Sequence, residues 1–405
     1  LPLKRDQLSI TRPTRGAALA TRALAMLYAA SPLFNGNADY AKFANEDGTL
    51  LFAPKDDSKW GKAAAAAKEA IDKIEGSSYY GLYYSDEPDN GYRNYMELFL
   101  PSKKWNKEYI FARNQGTGYS DNIHQEKCMA ANGMGGWSGL CPTQELVDAY
   151  EMANGSTPII GYNADGTPII NGASGYSETG FAATAGKHYP AGVYNMYVGR
   201  EPRFYASINF NGQQWRGRQL EFWQGGKDGI NVSKVDYCCT GYLLRKTADE
   251  GVDVINGKGG MKEASILFRV GSLYLDYAEA LNEAEGPVDD VYKYVDAIRK
   301  RAGLPGLAKG LDKDKMRERI QHERQIELAF EAGHRYFDCH RWKIAEKTDN
   351  GYMHGMNITA TNKVDYSKRS TVGDSRVFEK KHYLFPIPQS EMDKRIGLVQ
   401  SPYWE

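Results

Sequence analysis

Apolar residues recur at helical spacing in the N-terminal and C-terminal parts of the 405-residue chain, and this pattern constrains its fold most strongly. Asp57 or Ser58 can cap a helix, and apolar residues follow at offsets of 0, 4, 7, 11 and 14, which places them on one face of that helix. These residues are Trp60, Ala64, Ala67, Ile71 and Ile74. The Ala- and Leu-rich segment 14–30, which ends before Pro32, predicts another helix. Because small alanine side chains let two helices approach closely, we expect an antiparallel helical hairpin.

Helical periodicity returns in the last third of the chain. Its first stripe consists of Leu267, Val270, Tyr274, Tyr277 and Leu281. A second helix has Pro287 at its start and Gly303 just past its end. A third predicted helix covers 312–332 and ends at Gly333, and a shorter one starts near Tyr336. The pattern predicts a second helical hairpin of the tetratricopeptide-like kind.

The middle of the chain has a different character. From residue 77 to about 260 it is rich in Gly, Asn, Tyr and Pro, and turn signals such as Asn154-Gly155 interrupt its short apolar runs. Loops this extensive inside a compact protein usually carry function, because they are longer than a simple connection requires. We therefore expect the ligand to bind there.

These patterns predict a mainly α fold, in which tetratricopeptide-like helical hairpins carry a large irregular, loop-rich insertion. We interpret 1–405 as a single domain. Its helical scaffold comprises 12–76 and 264–345, its loop-rich, ligand-facing region is 77–263, and its C-terminal segment is 346–405.

Composition argues against several classes of function. Lys and Arg total 51, as do Asp and Glu, so no excess of positive charge attracts nucleic acid. The apolar runs are far shorter than the roughly 20 residues that cross a bilayer. The five cysteines lack CxxC spacing, which indicates neither a disulfide framework nor a zinc site. We expect scattered buried thiols with at most one disulfide.

Two charged clusters resemble catalytic or metal sites but favour structural roles. Glu331, His334, Asp338 and His340 are metal-ligand residue types, yet their spacing matches no zinc pattern. We expect them to form salt bridges and caps with Arg335 and Arg341. The second cluster, Arg319, Glu323 and Glu327, recurs at four-residue spacing and predicts a charge network against a neighbouring helix. We predict no catalytic residue.

An acidic loop is the remaining candidate for a metal ion. Asp86, Glu87, Asp89 and Asn90 provide oxygen ligands that suit calcium, but the twelve-residue spacing of a calcium loop is absent. A solvated acidic turn is the favoured interpretation, with a structural calcium ion as the alternative. We predict no metal site and no cofactor.

Aromatic residues are the most suggestive feature of the middle region. The chain contains 28 tyrosines and 7 tryptophans, whose flat faces suit sugar rings, peptides and protein interfaces. Three or four rings on an open platform, flanked by amide and arginine side chains, would stack against sugars. Our candidate ligand-binding residues are Trp215, Trp223, Trp137, Tyr176, Gln213 and Arg216.

Several phrases of the sequence, in order along the chain, resemble one known family. They include YAASPLFN at 28–35, YLDYAEALNE at 274–283, HERQIELAFE at 322–331 and YLFPIP at 383–388. Together they make the chain similar to the SusD/RagB family of nutrient-binding proteins. The family normally has a lipid-attached cysteine and a further helical hairpin before the phrase that begins at Arg12. We therefore expect that this N-terminal part is absent here.

The resemblance implies a function that composition cannot decide. It implies a non-enzymatic lipoprotein on the extracellular face of the outer membrane of a Bacteroidetes-like bacterium. Such a protein caps a SusC-like TonB-dependent barrel and captures glycans, or peptides in some relatives. A glycoside hydrolase is a further alternative, which requires two carboxyl groups about 5–9.5 Å apart across a cleft. A pure scaffold or adhesin is the remaining alternative.

Overall fold

Helices form most of the regular structure in the computed structural model, which describes residues 1–5, 11–100, 105–114, 119–257, 264–331, 333–394 and 396–404. The α-helices are α1 (Arg15–Ala30), α2 (Ser58–Glu75), α3 (Gly91–Phe99), α4 (Tyr119–Met129), α5 (Gln144–Ala149), α6 (Pro202–Ser207), α7 (Val270–Glu285), α8 (Asp289–Arg301), α9 (Lys313–Glu327), α10 (His334–Arg341), α11 (Ala345–Thr348), α12 (Lys363–Tyr366) and α13 (Gln389–Met392). The predicted mainly α fold is confirmed.

The strands are short and pair as two-stranded antiparallel sheets. They are β1 (Tyr109–Asn114), β2 (Ile159–Tyr162), β3 (Pro168–Ile170), β4 (Ile208–Phe210), β5 (Gln214–Trp215), β6 (Arg218–Gln219), β7 (Tyr242–Leu244), β8 (Ala264–Arg269), β9 (Gly351–Met356) and β10 (Arg369–Arg376). The pairs are β1 with β8, β2 with β3, β4 with β7, β5 with β6 and β9 with β10. Four of these pairs include strands of the irregular middle, so small sheets organise the loops.

The predicted division of the chain into one domain with named segments stays a prediction.

Helices α1 and α2 form the expected hairpin. The Thr14 hydroxyl accepts a hydrogen bond from Ala17 N at 3.1 Å and so caps α1. Most of the residues that the two helices bury are alanines, including Ala20 and Ala67. Larger residues such as Leu27 and Ile71 are buried in the same cluster. The α2 helix also packs against α7, which in turn packs against α8 and α9. One apolar core therefore runs through both helical regions.

The start of α7 differs from its prediction. The sequence pattern predicts Leu267 on the helical stripe, but this residue lies in β8 and is exposed. Helix α7 begins three residues later, at Val270. The cause is tertiary, because β8 pairs with β1, for example through Phe268 opposite Phe111. Local periodicity contains no information about a strand partner so distant in the sequence.

Helix α9 ends earlier than predicted. It stops at Glu327 instead of reaching Gly333, and Phe330 has a positive φ of 62°. Ala332, the predicted last residue, lies outside the described residues. The carbonyl of Glu327 accepts hydrogen bonds from the Tyr95 hydroxyl at 2.8 Å and from Arg269 Nη2 at 3.0 Å. Because distant side chains satisfy this carbonyl, it does not need a further helical turn to supply its hydrogen-bond donor.

The acidic face of α9 forms a buried ion network with arginines from three other elements. Arg203 Nη1 on α6 lies 2.5 Å from Glu323 Oε1 and 3.1 Å from Glu327 Oε2. Arg269 Nη1 at the end of β8 lies 2.9 Å from Glu327 Oε1, and Arg301 of α8 pairs with the same oxygen. All five residues are buried. The predicted charge network against neighbouring elements is therefore confirmed.

The other charged cluster, which contains Glu331, Asp338 and His340, also forms ion pairs and hydrogen bonds within the protein, and Arg341 is one of its two predicted arginine partners. Asp338 pairs with Arg341 at 2.8 Å and with Arg324 of α9 at 2.9 Å. Glu331 pairs with Lys246 at 2.6 Å, and His340 Nδ1 lies 2.7 Å from Tyr336 O. Among the described residues, no group of three or more His, Cys, Asp and Glu side chains is arranged to hold a metal ion.

We expect Glu327→Gln to destabilise the protein by about 3–5 kcal/mol, because it leaves buried guanidinium groups without their counter-charge. Urea unfolding followed by circular dichroism at pH 7 measures this change. The matched control is Glu69→Gln, which removes an exposed pair with Arg22 and should leave the unfolding midpoint unchanged. Equal midpoints for wild type and Glu327→Gln would contradict the role of the network.

Stability should also fall in acid. Burial raises the pKa of Glu327, but Arg301, Arg269 and Arg203 outweigh it and lower the pKa to about 2 from an ordinary value of 4.5. These carboxylate interactions are fully present above about pH 4.5 and are lost as the pH falls towards 2. Urea midpoints measured from pH 6 to pH 2 test this, and Glu327→Gln should show a shallower dependence because glutamine does not titrate.

Candidate functional site

A cleft of about 310 Å³ opens among the loops of the middle region, and we name it the loop cleft. It is lined by Tyr92, Gly186, Lys187, His188, Tyr189, Pro190, Gln213, Gln214 and Arg245. An adjoining cavity of about 320 Å³ shares Tyr92, Lys187, His188 and Tyr189 with it. Another cavity, of about 270 Å³, includes Arg5 and Trp105, which adjoin undescribed residues in the sequence. The loop cleft combines aromatic rings with amide and guanidinium groups in the region predicted to face the ligand, so we take it as the candidate site.

A tight turn at 186–190 supplies most of the aromatic wall. Gly186 N donates a hydrogen bond to Tyr189 O at 2.9 Å. A Cβ atom at Gly186 would lie 2.4 Å from Cζ of the Tyr189 ring, so the ring packs where only glycine leaves room. The His188 ring stacks on Tyr92, with centroids 4.7 Å apart and planes 30° from parallel. The turn therefore presents two rings beside the start of α3.

Arg245 supplies the polar floor of the cleft and is held from several sides. It follows β7, whose pairing with β4 fixes the direction of the chain. Its Nη1 donates to Tyr205 O at 2.9 Å, and its Nη2 donates to Glu250 Oε1 at 3.2 Å. Its guanidinium lies over the Trp215 ring, 4.7 Å from the centroid. The guanidinium is therefore fixed in position before any ligand arrives.

The cleft keeps its histidine uncharged. Burial lowers the pKa of His188 to about 4, and the positive charges of Lys187 and Arg245 act in the same direction. At neutral pH the ring therefore offers a flat face and one N–H donor, without a charge of its own. This state suits stacking against an uncharged ligand.

Two buried donors in the cleft have no acceptor among the described residues. Gln213 Nε2 and Arg245 Nε are both buried and unpaired. Gln213 Oε1 accepts from Phe210 N at 3.2 Å, which leaves its NH₂ group as the free end. Buried donors without acceptors are costly, and a ligand with oxygen acceptors removes this cost only after side chains shift, because both nitrogen atoms are covered. Hydroxyl and ring oxygens of a sugar are acceptors of this kind.

Among the predicted ligand-binding residues, Gln213 lines the loop cleft, but two rings are placed differently from our expectation. Trp215 is 2% exposed and lies in the core of the middle region, beneath Arg245. Tyr176 is 7% exposed, donates its hydroxyl hydrogen to Glu178 Oε1 at 2.7 Å and lies below the guanidinium of Arg200. The expectation of open ring faces is therefore wrong at both positions, because each ring packs inward under an arginine.

Arg216 links two loop segments through hydrogen bonds. It has a positive φ of 47° and donates to Val252 O at 2.7 Å and to Asp249 O at 2.9 Å. Backbone carbonyls thus accept hydrogen bonds from its guanidinium group. Its contact with a ligand beside a ring platform stays a prediction.

Trp223 and Trp137 are half-buried and do not line the loop cleft. Lys363 lies 5.2 Å above the Trp223 ring, and Lys127 lies 5.2 Å above the Trp137 ring. Each ring is therefore partly covered by a flexible side chain. Their contact with a ligand stays a prediction.

Our six candidate ligand-binding residues do not include four residues that line the cleft: Tyr92, His188, Tyr189 and Arg245. The available signal was the phrase Gly-Lys-His-Tyr-Pro at 186–190, in which two ring-bearing residues lie inside a turn. Nothing local connects this turn with Tyr92 on α3 or with Arg245 after β7, since tertiary packing alone brings them together.

The acidic loop forms ion pairs within the protein. Asp86 and Glu87 both pair with Arg93, at 2.6 and 2.5 Å, and Asn90 Nδ2 donates to Glu87 Oε2 at 2.8 Å. Asp89 and Asn90 border the cavity next to the loop cleft. Arg93 thus neutralises part of the charge that would attract calcium.

We expect Trp215→Ala to lower stability by about 3–5 kcal/mol, because it removes a large buried ring and leaves a cavity. Trp223→Ala should cost clearly less, because its ring is only half-buried. Urea unfolding of both variants, compared with wild type, measures the difference. Full stability of Trp215→Ala would show that the indole does not support the floor of the cleft.

The scaffold and the cleft define a class of protein, an α-helical frame that displays a polar and aromatic cleft on irregular loops. A model of the SusD family matches residues 101–404, about three quarters of the chain. The chain belongs to the SusD/RagB family, as its sequence phrases indicated. Among the described residues, no helix has both the length and the apolar character required to cross a membrane.

Individual relatives agree with this assignment. Two proteins of Formosa agariphila match: SusD-like protein P25 is 42% identical over 82 residues, and SusD-like protein P2 is 29% identical over 154 residues. These matches cover 20% and 35% of the chain, and only 15% and 26% of the two relatives. Their similarity to this chain is therefore local.

Two solved structures have the same fold over the whole chain. BT4246 superposes with a TM-score of 0.81 at 27% identity, covering 100% of this chain and 73% of that protein. A SusD-like protein from Bacteroides fragilis, BF3747, gives a TM-score of 0.70 at 26% identity, covering 100% of this chain and 68% of that protein.

Proposed function

We propose that this chain captures glycans at the cell surface without catalysing a reaction, as the binding subunit of a TonB-dependent nutrient importer. The observation that carries the proposal is the combination of stacked rings and unpaired buried donors in the loop cleft. A sugar presents an apolar ring face beside several oxygen acceptors, and this cleft offers a partner for each.

The rings and the donors have separate tasks. Tyr189 and the His188–Tyr92 pair offer faces on which a sugar ring can lie. The exposed Gln214 offers a flexible amide to sugar oxygens at the rim, and Gln213 Nε2, which is covered, joins it after a side-chain shift. Each hydrogen bond contributes about 0.5–1.5 kcal/mol, so affinity for a short glycan is modest. Modest affinity suits a protein that must release its cargo to a transporter.

The small number of carboxyl groups at the site supports binding without hydrolysis. The described residues that line the loop cleft include no Asp or Glu, and Asp89 is the single acid that lines the adjoining cavity. Hydrolysis of a glycosidic bond requires two carboxyl groups on opposite sides of the bond. The arrangement favours capture over cleavage.

Membership of the SusD/RagB family supports the remaining parts of the proposal. The partner is a SusC-like TonB-dependent barrel in the outer membrane, and the protein lies on the extracellular face, held there by a lipid anchor. The cargo is an oligosaccharide or polysaccharide, and peptide cargo is the outcome that the binding test below separates from it.

The test is isothermal titration of the purified chain against a panel of neutral and acidic oligosaccharides and against mixed peptides. For the glycan that binds, Tyr189→Ala and Gln214→Ala should each weaken affinity by up to about tenfold, equivalent to about 1.4 kcal/mol. Tyr352→Ala is the matched control, because Tyr352 is an exposed tyrosine of β9 outside the cleft. Circular dichroism verifies that each variant is folded.

Three outcomes would contradict the proposal. Binding of peptides but of no glycan would indicate a peptide-capture subunit. Release of reducing sugar by the pure protein would indicate a hydrolase. Equal affinity of the cleft variants and wild type for a bound glycan would place the binding site elsewhere on the surface.

A further inference from the structure

Three thiols lie together where the segment before α5 meets the segment before β7. Cys141 Sγ lies 3.9 Å from Cys238 Sγ, and the neighbouring Cys239 is exposed. The Cys141 thiol donates to Ser138 O at 3.1 Å, and the Cys238 thiol donates to Tyr242 O at 2.9 Å. These contacts keep the sulfur atoms of Cys141 and Cys238 side by side.

A hydrogen bond joins the two chain segments near these thiols. Leu244, six residues after Cys238, donates its N–H to the carbonyl of Leu140, the residue before Cys141, at 2.9 Å. A disulfide needs its sulfur atoms about 2.05 Å apart, so the two sulfur atoms, which lie 3.9 Å apart, must approach each other by roughly 2 Å. Rotation of the two side chains has to supply this approach.

The geometry points to a redox-dependent disulfide between Cys141 and Cys238, formed by exchange with a small disulfide oxidant such as oxidised glutathione. The half-buried Cys141 attacks one sulfur of the oxidant as its thiolate and expels the first glutathione thiol. Cys238 then attacks Cys141 Sγ, gives up its proton and expels the second glutathione thiol. Two protein thiols are oxidised, and one glutathione disulfide is reduced to two thiols.

The bond would link positions 97 residues apart and fasten the chain just before β7. Arg245 follows β7 directly, so the bond would restrain the strand that leads to the floor of the loop cleft. The contact with Cys238 raises the pKa of the Cys141 thiol and burial acts in the same direction, while a hydrogen bond with the Cys239 thiol lowers it in part. Reactive thiolate is therefore scarce at neutral pH, and oxidation is expected to speed up at alkaline pH. The inference does not depend on which ligand the cleft binds.

The test uses the full chain, reduced, desalted and incubated with oxidised glutathione at pH 8. We expect an intact mass lower by two hydrogens and a cross-linked peptide pair that contains Cys141 and Cys238. The oxidised protein should melt roughly 5 °C higher than the reduced protein, because the cross-link restricts the unfolded chain. Cys239→Ser and Cys128→Ser should still form the bond, whereas Cys141→Ser should not.

Other results would overturn the inference. No loss of hydrogen under these conditions would mean that the thiols stay apart. A bond through Cys239 or Cys128 in the unaltered protein would mean that the pair is assigned wrongly. Peptide mapping of the unaltered chain decides between these outcomes even if a substituted chain fails to fold.

Discussion

The carboxylate of Glu327 is surrounded by guanidinium groups from three separate elements, and the rest of the structure depends on that contact. Arg203 comes from α6, Arg269 from the end of β8 and Arg301 from α8. Removing so many charges from water is expensive, and it is tolerated only because each charge meets opposite charges and hydrogen bonds at close range. The network therefore fixes how α9, α8 and the irregular middle fit together.

The network also reaches the loop cleft through neighbouring residues in the sequence. Lys246 Nζ binds Glu331 at 2.6 Å and the Tyr95 hydroxyl at 2.7 Å, while Arg245, the residue before it, forms the floor of the cleft. On α3, Tyr95 contacts the carbonyl of Glu327, and Tyr92, one turn earlier, stacks in the cleft. Two short segments, 92–95 and 245–246, thus connect the scaffold with the site. The irregular loops can therefore hold rings and donors in fixed positions.

The candidate site shows where inference from sequence succeeds and where it stops. Gln213, one of the residues predicted from the sequence, lines the candidate cleft in the middle region, and ligand binding there stays a prediction. The choice of Trp215 as an open ring was wrong, because the indole lies under Arg245 in the core. Residue type alone cannot tell an exposed ring from a buried one, since both occur in aromatic-rich loops. Tyr92 and Tyr189 join the site only through packing between segments about 100 residues apart in the sequence.

The sequence alone determined the helical hairpins, since apolar spacing, caps and alanine stripes are local properties, as α1 and α2 illustrate. It also determined that Glu323 and Glu327 share one helix face, which made a charge network predictable without its partners. Tertiary structure decided the end of α9, the start of α7 and the membership of the cleft. Each of these depends on a contact between residues far apart in the chain, and no local pattern encodes which distant side chain will satisfy a carbonyl, pair with a strand or cover a ring.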